Sequence, residues 1–316
     1  MMKRSFSAPG KLVIAGEYAV LHGHEALAVS VNRHATITLS PALSMTCNNE
    51  VINCVLLEFK SRRIPLSPCA IAIDTSSLHL GSSPISPKLG LGSSAAIVVA
   101  LTKALLSQPK EEAPEALQLE IALGAHKRFT SGLGSGIDIA TSFFGGAIRF
   151  KTGTRFTPEI SKCALSLDAT SLITVYTGRS QSTNIFLKRV ASAAQSCQSQ
   201  YERAILGIAM ATRGIINNMT HSESANFVNL CSAVKEHNVA MKALGSLAGV
   251  DIISDAHSQI AEIAERYNGA AKPSGAGGGD IALCFIPTIN RNEFLREISA
   301  KRFVKLDLNF CDQGVK

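Results

Sequence analysis

Apolar and polar positions alternate between two periods along the chain. Near the start, Leu12 to Ala15 and Ala26 to Val31 are short continuous apolar runs, and Thr36 to Leu39 alternates Thr with Ile and Leu. All three predict strands, and Val51 to Phe59 is read as one more. Around Ser82 to Pro87 the chain turns into a Ser/Pro/Gly loop that ends at Ser93 and Ser94 and runs into the apolar stretch Ala95 to Leu106, a predicted buried helix capped by serine. Ala116 to Phe129 predicts a second helix, and after a Gly/Ser-rich segment Ala147 to Phe150 predicts a strand. Leu165 to Ser171 is the expected domain boundary. Beyond it, Leu172 to Tyr176 reads as a strand, and Ser182 to Cys197, Tyr201 to Asn217, Ser222 to Leu244 and Ser254 to Tyr267 carry helical spacing. Ile281 to Phe285 and Val304 to Phe310 then close as strands around a helix at Arg291 to Ala300. This order is mixed α+β rather than strict βαβ.

Length and composition narrow the class. A chain of 316 residues accommodates two domains, and 46% apolar residues with no repeat is ordinary for a folded enzyme. Met1-Met2-Lys3-Arg4 is basic, but Ser5, Ser7, Pro9, Gly10 and Lys11 interrupt any apolar signal core, and no run approaches the roughly 20 apolar residues that span a bilayer. The expectation is a cytoplasmic protein without membrane partners. Eight scattered cysteines without a CxxC pair suggest free buried thiols. The +7 formal charge favours anionic ligands, but dispersed Lys and Arg with no Trp exclude the basic, aromatic stripe of a nucleic-acid binder. His22 and His24 flank Gly23 in a turn, while His126, His221, His237 and His257 read as isolated residues at polar positions.

The sharpest chemistry lies in Pro87-Lys88-Leu89-Gly90-Leu91-Gly92-Ser93-Ser94-Ala95-Ala96. Glycines let backbone N–H groups close on an anion, and the helix that follows presents free N–H groups and the positive end of its dipole. A tight turn before a capped helix gives the same string, so this segment alone decides little. No βαβ unit with a ribose-binding acid surrounds it, and the GxxxxGK[ST] pattern is missing. Two further motifs accompany it: Ala8-Pro9-Gly10-Lys11 running on to Gly16-Glu17-Tyr18-Ala19-Val20, and Lys272-Pro273-Ser274-Gly275-Ala276-Gly277-Gly278-Gly279-Asp280.

Together, in this order and over nearly the whole chain, the three resemble the signature motifs of the GHMP kinase superfamily. Details are most similar to the phosphomevalonate kinase family: Gly16-Glu17-Tyr18-Ala19-Val20, the loop at Lys88 to Ser94, Gly134-Ser135-Gly136-Ile137-Asp138-Ile139-Ala140, the loop at Ser274 to Asp280, and Tyr176-Thr177-Gly178-Arg179-Ser180-Gln181-Ser182-Thr183. Mevalonate kinases usually carry Gly-Glu-His where this chain has Gly16-Glu17-Tyr18. They also carry a helix glutamate about eleven residues before the catalytic aspartate, where this chain has Lys127.

The resemblance implies an α+β, two-lobed GHMP kinase fold with the active site between the lobes: an N-terminal mixed α/β nucleotide-binding lobe at 1–168 and a C-terminal ferredoxin-like α+β lobe at 169–316. It implies ATP- and Mg2+-dependent phosphorylation of a small anionic substrate, 5-phosphomevalonate, with mevalonate or another small molecule as the alternative acceptor. A non-catalytic ligand-binding homologue is the remote alternative, and a homodimer is left open. Lys11 and Asp138 would be catalytic. Lys88, Gly90, Leu91, Gly92, Ser93, Ser94 and Ala95 would hold nucleotide, with Ser94 also on magnesium. Lys11, Ser135, Gly136, Asp138, Arg179, Ser182, Ser274, Gly275, Ala276 and Gly277 would meet substrate. Structural alternatives stay open: Asp138 as a helix cap, Lys11 as a surface lysine at a strand edge, Ser94 as an N-cap, Arg179 as plain surface, and Asp280 as a residue that orders its own loop. Glu17 carries no assignment.

Overall fold

The computed structural model describes residues 3–45, 49–83, 85–107, 113–153, 157–167, 169–180, 183–220 and 226–316. The fold is α+β. The chain divides into two compact units, one made of residues 1–12, 28–148 and 309–316, the other of residues 13–27 and 149–308. A five-stranded sheet follows the order β1 (Arg4–Ala15), β2 (Glu25–Pro41), β4 (Ala147–Lys151), β5 (Glu159–Cys163), with β3 (Cys69–Asp74) paired to β2. The two strands expected at Ala26 to Val31 and Thr36 to Leu39 are one, because the polar residues Asn32 to His34 between them stay extended within β2.

In the first unit, β2 and β3 pair antiparallel from Thr36 opposite Asp74 to Pro41 opposite Cys69. Val51 to Phe59 is not a strand. It lies in helix α1 (Glu50–Ser61), started by the Asn49 side chain, which accepts hydrogen bonds from the Val51 and Ile52 amides. Its buried residues Val51, Ile52, Val55 and Phe59 recur at helical spacing, which overrides the strand preference of the branched side chains. Helix α3 (Glu115–Phe129) packs on α1, and the buried Glu58 is the joint. Its carboxylate accepts from Arg62 Nε at 2.7 Å and Arg128 Nε at 2.6 Å. Gly124 leaves room for it, since a Cβ there would stand 2.4 Å from Glu58 Oε1.

Helix α2 (Ser93–Leu106) is apolar on nearly every side and almost wholly buried, as expected of a helix at the centre of a core. Truncating a fully buried residue such as Leu101 to Ala would cost about 2–5 kcal/mol. The expected serine cap is absent: the N-cap is Gly92 in a left-handed conformation (φ 75°), with Ser93 and Ser94 already inside the first turn. The short helix α4 (Ile137–Phe144) also begins from a left-handed glycine, Gly136.

The second unit carries helices α5 (Thr183–Ser196), α6 (Gln198–Thr220), α7 (Phe227–Ala248), α8 (Asp255–Arg266) and α9 (Arg291–Ala300). Its antiparallel sheet follows the order β7 (Ala270–Pro273), β8 (Ile281–Pro287), β6 (Thr170–Tyr176), β9 (Val304–Leu306). Taken by chain position within the sheet this order is 2-3-1-4, the ferredoxin-like arrangement. α8 and α9 cover the sheet through Ile260, Ile263, Phe294 and Ile298. β9 ends at Leu306, so the strand expected to reach Phe310 is shorter; Phe310 instead forms an isolated bridge with Val31 in the first unit. The cysteines among the described residues are free, but only Cys69, Cys231 and Cys284 are buried, and Cys47 lies outside the described residues. Among the described residues no helix is long and apolar enough to cross a membrane.

Candidate active site

In the first unit, β1 delivers Lys11 to the start of α2. The Lys11 amide donates to the Leu91 carbonyl at 2.9 Å, which ties the strand to the glycine loop. Gly10 is required by this approach, since a Cβ there would fall 2.9 Å from both Leu91 O and Leu78 Cδ2. The Lys11 side chain is buried, and its Nζ stands 3.6 Å from Asp138 Oδ1. Gly92 packs against both: a Cβ on it would meet Lys11 Cε at 2.9 Å and Asp138 Oδ2 at 3.6 Å. The reading of Lys11 as an ordinary surface lysine is thereby excluded.

Asp138 is not a cap either. The N-cap of α4 is Gly136, the Ile137 amide donates to Ser135 Oγ at 3.3 Å, and Asp138 sits in the first turn with its side chain part-exposed. Around the same point, Gly92, Ser93 and Ser94 are half-buried, Leu91 and Ala95 are buried, and Lys88 and Gly90 are exposed. The opening amides of α2 lack intrahelical acceptors by their position, so the loop can receive an anion directly beside the Lys11 ammonium.

His126, expected at a polar position, belongs to this cluster. His126 is buried on α3, and its Nε2 lies 3.4 Å from Ser94 Oγ. Burial holds the ring below its ordinary pKa; the Asp138 carboxylate pulls it up and the Lys11 ammonium pushes it down. A neutral ring can accept the Ser94 hydroxyl proton, which leaves the oxygen lone pairs of Ser94 free for a cation. The signal for this placement was the apolar stripe Ile121, Ala122, Ala125, on which His126 falls at i+4 from Ala122. Lys127, at the place where mevalonate kinases carry glutamate, is exposed.

The remaining expected residues lie in the second unit, where the glycine loop between β7 and β8 is tied on several sides. Ser274 spends its hydroxyl on β1, accepting from the Val13 amide at 3.0 Å and donating to the Val13 carbonyl at 3.1 Å. Asp280, at φ 59°, orders the loop through its backbone: its amide donates to the Arg179 carbonyl at 2.7 Å and its carbonyl accepts from the Thr177 amide at 2.9 Å. Arg179 itself is exposed, and Ser182 lies outside the described residues.

Glu17, left without a role by the sequence, is fully buried here. Its Oε1 accepts from Lys272 Nζ at 2.6 Å and from the Gly275 amide at 3.2 Å. Its Oε2 lies 3.0 Å from His237 Nε2, though not aligned as a hydrogen bond. Burial pushes the Glu17 carboxyl up, but the Lys272 ammonium and the His237 ring outweigh it and hold the pKa down at about 2. Lys272 and His237 are both pushed down by burial, with Glu17 recovering part of each shift. His237 and His257 are thus buried residues rather than polar-face ones; His237 sits on the stripe of Ala233, Val234, Ala240 and Met241, where helical spacing would have placed it.

A glycine loop at a helix start, an ammonium beside it and a carboxylate against both are the parts that phosphoryl transfer needs. Comparison with known proteins agrees: residues 51–146 match the GHMP kinases N terminal domain. Residues 51–146 thus carry a GHMP kinase N-terminal domain, and the relatives that match along most of the chain are small-molecule kinases, phosphotransferases. Among curated relatives it is 26% identical to a phosphomevalonate kinase of Streptomyces sp. (strain CL190), over 88% of each chain. It is 27% identical to a phosphomevalonate kinase of Saccharolobus solfataricus, over 98% of each chain. Its fold superposes with a TM-score of 0.79 on Streptococcus pneumoniae phosphomevalonate kinase in complex with phosphomevalonate and AMPPNP, at 17% identity and covering 98% of this chain and 100% of that one. Mevalonate kinases also stand among the curated relatives.

Proposed function

We propose that the chain transfers the γ-phosphoryl group of ATP to the phosphate of 5-phosphomevalonate, giving the diphosphate and ADP. The observation that carries the transfer is the meeting of Lys11, Asp138 and Gly92 at the start of α2. The acceptor rests on the full-length similarity to two phosphomevalonate kinases and on the exposed Lys127 in place of the mevalonate-kinase glutamate. In this reading the triphosphate lies against the opening amides of α2, with Gly90 to Ala95 as its cradle and Lys88 at its rim. An oxygen of the acceptor phosphate forms the new bond to the γ-phosphorus, and the bond from that phosphorus to the β–γ bridging oxygen breaks, with its electrons leaving on ADP. Lys11 offsets charge on the migrating group, and Asp138 orients the attacking oxygen, which is ionised near neutral pH and needs no base.

The cluster fits magnesium: Ser94 offers a hydroxyl oriented by His126, Asp138 offers one carboxylate, and this ion takes few protein oxygens because it keeps water and phosphate oxygens as ligands. When bound it neutralises phosphate charge. Ser135, Gly136, Arg179, Ser182, Ser274, Gly275, Ala276 and Gly277 are assigned to the acceptor. Among these Ser274 contributes through its backbone, because its hydroxyl is bonded to Val13. ATP turnover against mevalonate, 5-phosphomevalonate, homoserine and galactose tests the proposal. Turnover is expected with 5-phosphomevalonate alone; turnover with mevalonate and not its phosphate overturns it in favour of the mevalonate kinase reading.

A further inference from the structure

Two sequence motifs far apart in the chain are joined in the second unit by contacts that no role in the proposed transfer accounts for. Glu17 carries one bond to Lys272 and one to the Gly275 amide, and the next residue, Tyr18, donates from its hydroxyl to the Ala276 carbonyl at 2.6 Å. Lys272 is fixed in turn by a second bond, to the Pro273 carbonyl at 2.6 Å. Tyr18 holds φ 58° and ψ −47°, a conformation that a bulky side chain keeps only where its surroundings dictate it. The far side of the loop is closed as well. A Cβ on Gly277 would stand 2.3 Å from the Ile252 carbonyl oxygen, one on Gly278 would stand 2.3 Å from Phe186 Cζ, and the Gly278 amide donates to Ile252 O at 2.8 Å. Gly275 is different: it has φ 88°, and a Cβ there would meet nothing within 4 Å. The loop therefore has a fixed back and, among the described residues, open space at Gly275.

We infer that Glu17 and Tyr18 are positioning residues that hold the backbone of Ser274 to Gly277 in the conformation that meets the phosphoryl acceptor. The inference rests on the proposed function for its catalytic consequence, but the clamp itself does not. A carboxylate buried with a lysine could serve stability alone; what points further is that its bond to the Gly275 amide and the tyrosine's bond to the Ala276 carbonyl end on adjacent residues of the loop, where a Cβ on Gly275 would meet none of the described residues within 4 Å. A buried ion pair adds little net stability, because desolvating two charges offsets most of their attraction.

The test uses the full chain as Tyr18→Phe, which keeps the ring in the core and deletes one donor, and as Glu17→Leu/Lys272→Met, which removes the charge pair together so that neither ion is left alone. Two readouts are taken: amide hydrogen exchange at Gly275 to Gly278, and steady-state kinetics with 5-phosphomevalonate. Tyr18→Phe is expected to keep its melting temperature within a few degrees, raise exchange in the loop about 5- to 10-fold and lower kcat about tenfold, with the KM for ATP changed less than about twofold. The double variant is expected to raise Gly275 exchange at least about tenfold. Unchanged loop exchange in Tyr18→Phe overturns the clamp. Faster exchange with unchanged kcat overturns the positioning role. Absence of turnover in the unsubstituted protein overturns the proposed acceptor instead, and the exchange measurement still decides the clamp.

Discussion

Replacing Gly92 by Ala separates the geometry of the cluster from the general cost of disturbing a glycine. At φ 75° an alanine costs about 1–2 kcal/mol in backbone strain alone. Its Cβ would also stand 2.9 Å from Lys11 Cε and 3.3 Å from Lys11 Cγ, closer than carbon atoms settle, so the lysine has to give way by several tenths of an ångström. Because that side chain is buried, it cannot swing freely into solvent, and its ammonium moves relative to Asp138. A misplacement approaching 1 Å at a reacting centre costs on the order of 10²-fold in rate. Gly249→Ala is the control: it imposes the same left-handed penalty at φ 63°, at the end of α7, with nothing within 4 Å of the new Cβ. Both variants are expected to melt about 2–6 °C lower. Gly92→Ala should lose roughly 30- to 100-fold in kcat while Gly249→Ala stays within about twofold. Equal turnover in the two variants would refute the placement of Lys11 at the reacting group.

Asp138→Asn is expected to lower kcat about 10²- to 10⁴-fold with little change in ATP affinity, towards the low end because a phosphate acceptor is already ionised. Lys11→Met should cost a similar factor, and the double variant less than the product, as groups acting together do; a fully multiplicative loss in steady-state kinetics would show that they act independently. Acid should weaken the second unit through His257, whose pKa burial and the Lys272 ammonium hold down at about 4 against a smaller upward pull from the Ile281 backbone. Since the folded pKa is below the free value of 6.5, the unfolded chain binds the extra proton between those limits, so stability falls as pH drops from 6.5 to 4, by up to about 3 kcal/mol. Urea midpoints of the unsubstituted protein should fall over that window and those of His257→Gln should fall less; parallel curves would remove His257 as the cause.

Helices and strands with long or clean periods and the three glycine motifs were legible in the residues alone, because those signals are local: spacing decides a helix face, and glycine marks where backbone must turn or approach closely; the pairing of Lys11 with Asp138 came only from the resemblance to the GHMP kinase superfamily. The sequence misled at Val51 to Phe59, where branched side chains suggested a strand and Asn49, a single capping residue, set a helix. It also credited α2 with a serine cap that Gly92 supplies by its left-handed backbone. The partners of buried polar groups came from the fold instead. His126 beside Ser94, and Glu17 between Lys272, His237 and the Gly275 amide, join residues 32 to 258 positions apart. No periodicity encodes such partners; burial makes them obligatory, since a buried charge or imidazole must find its counterpart wherever the fold brings one within reach.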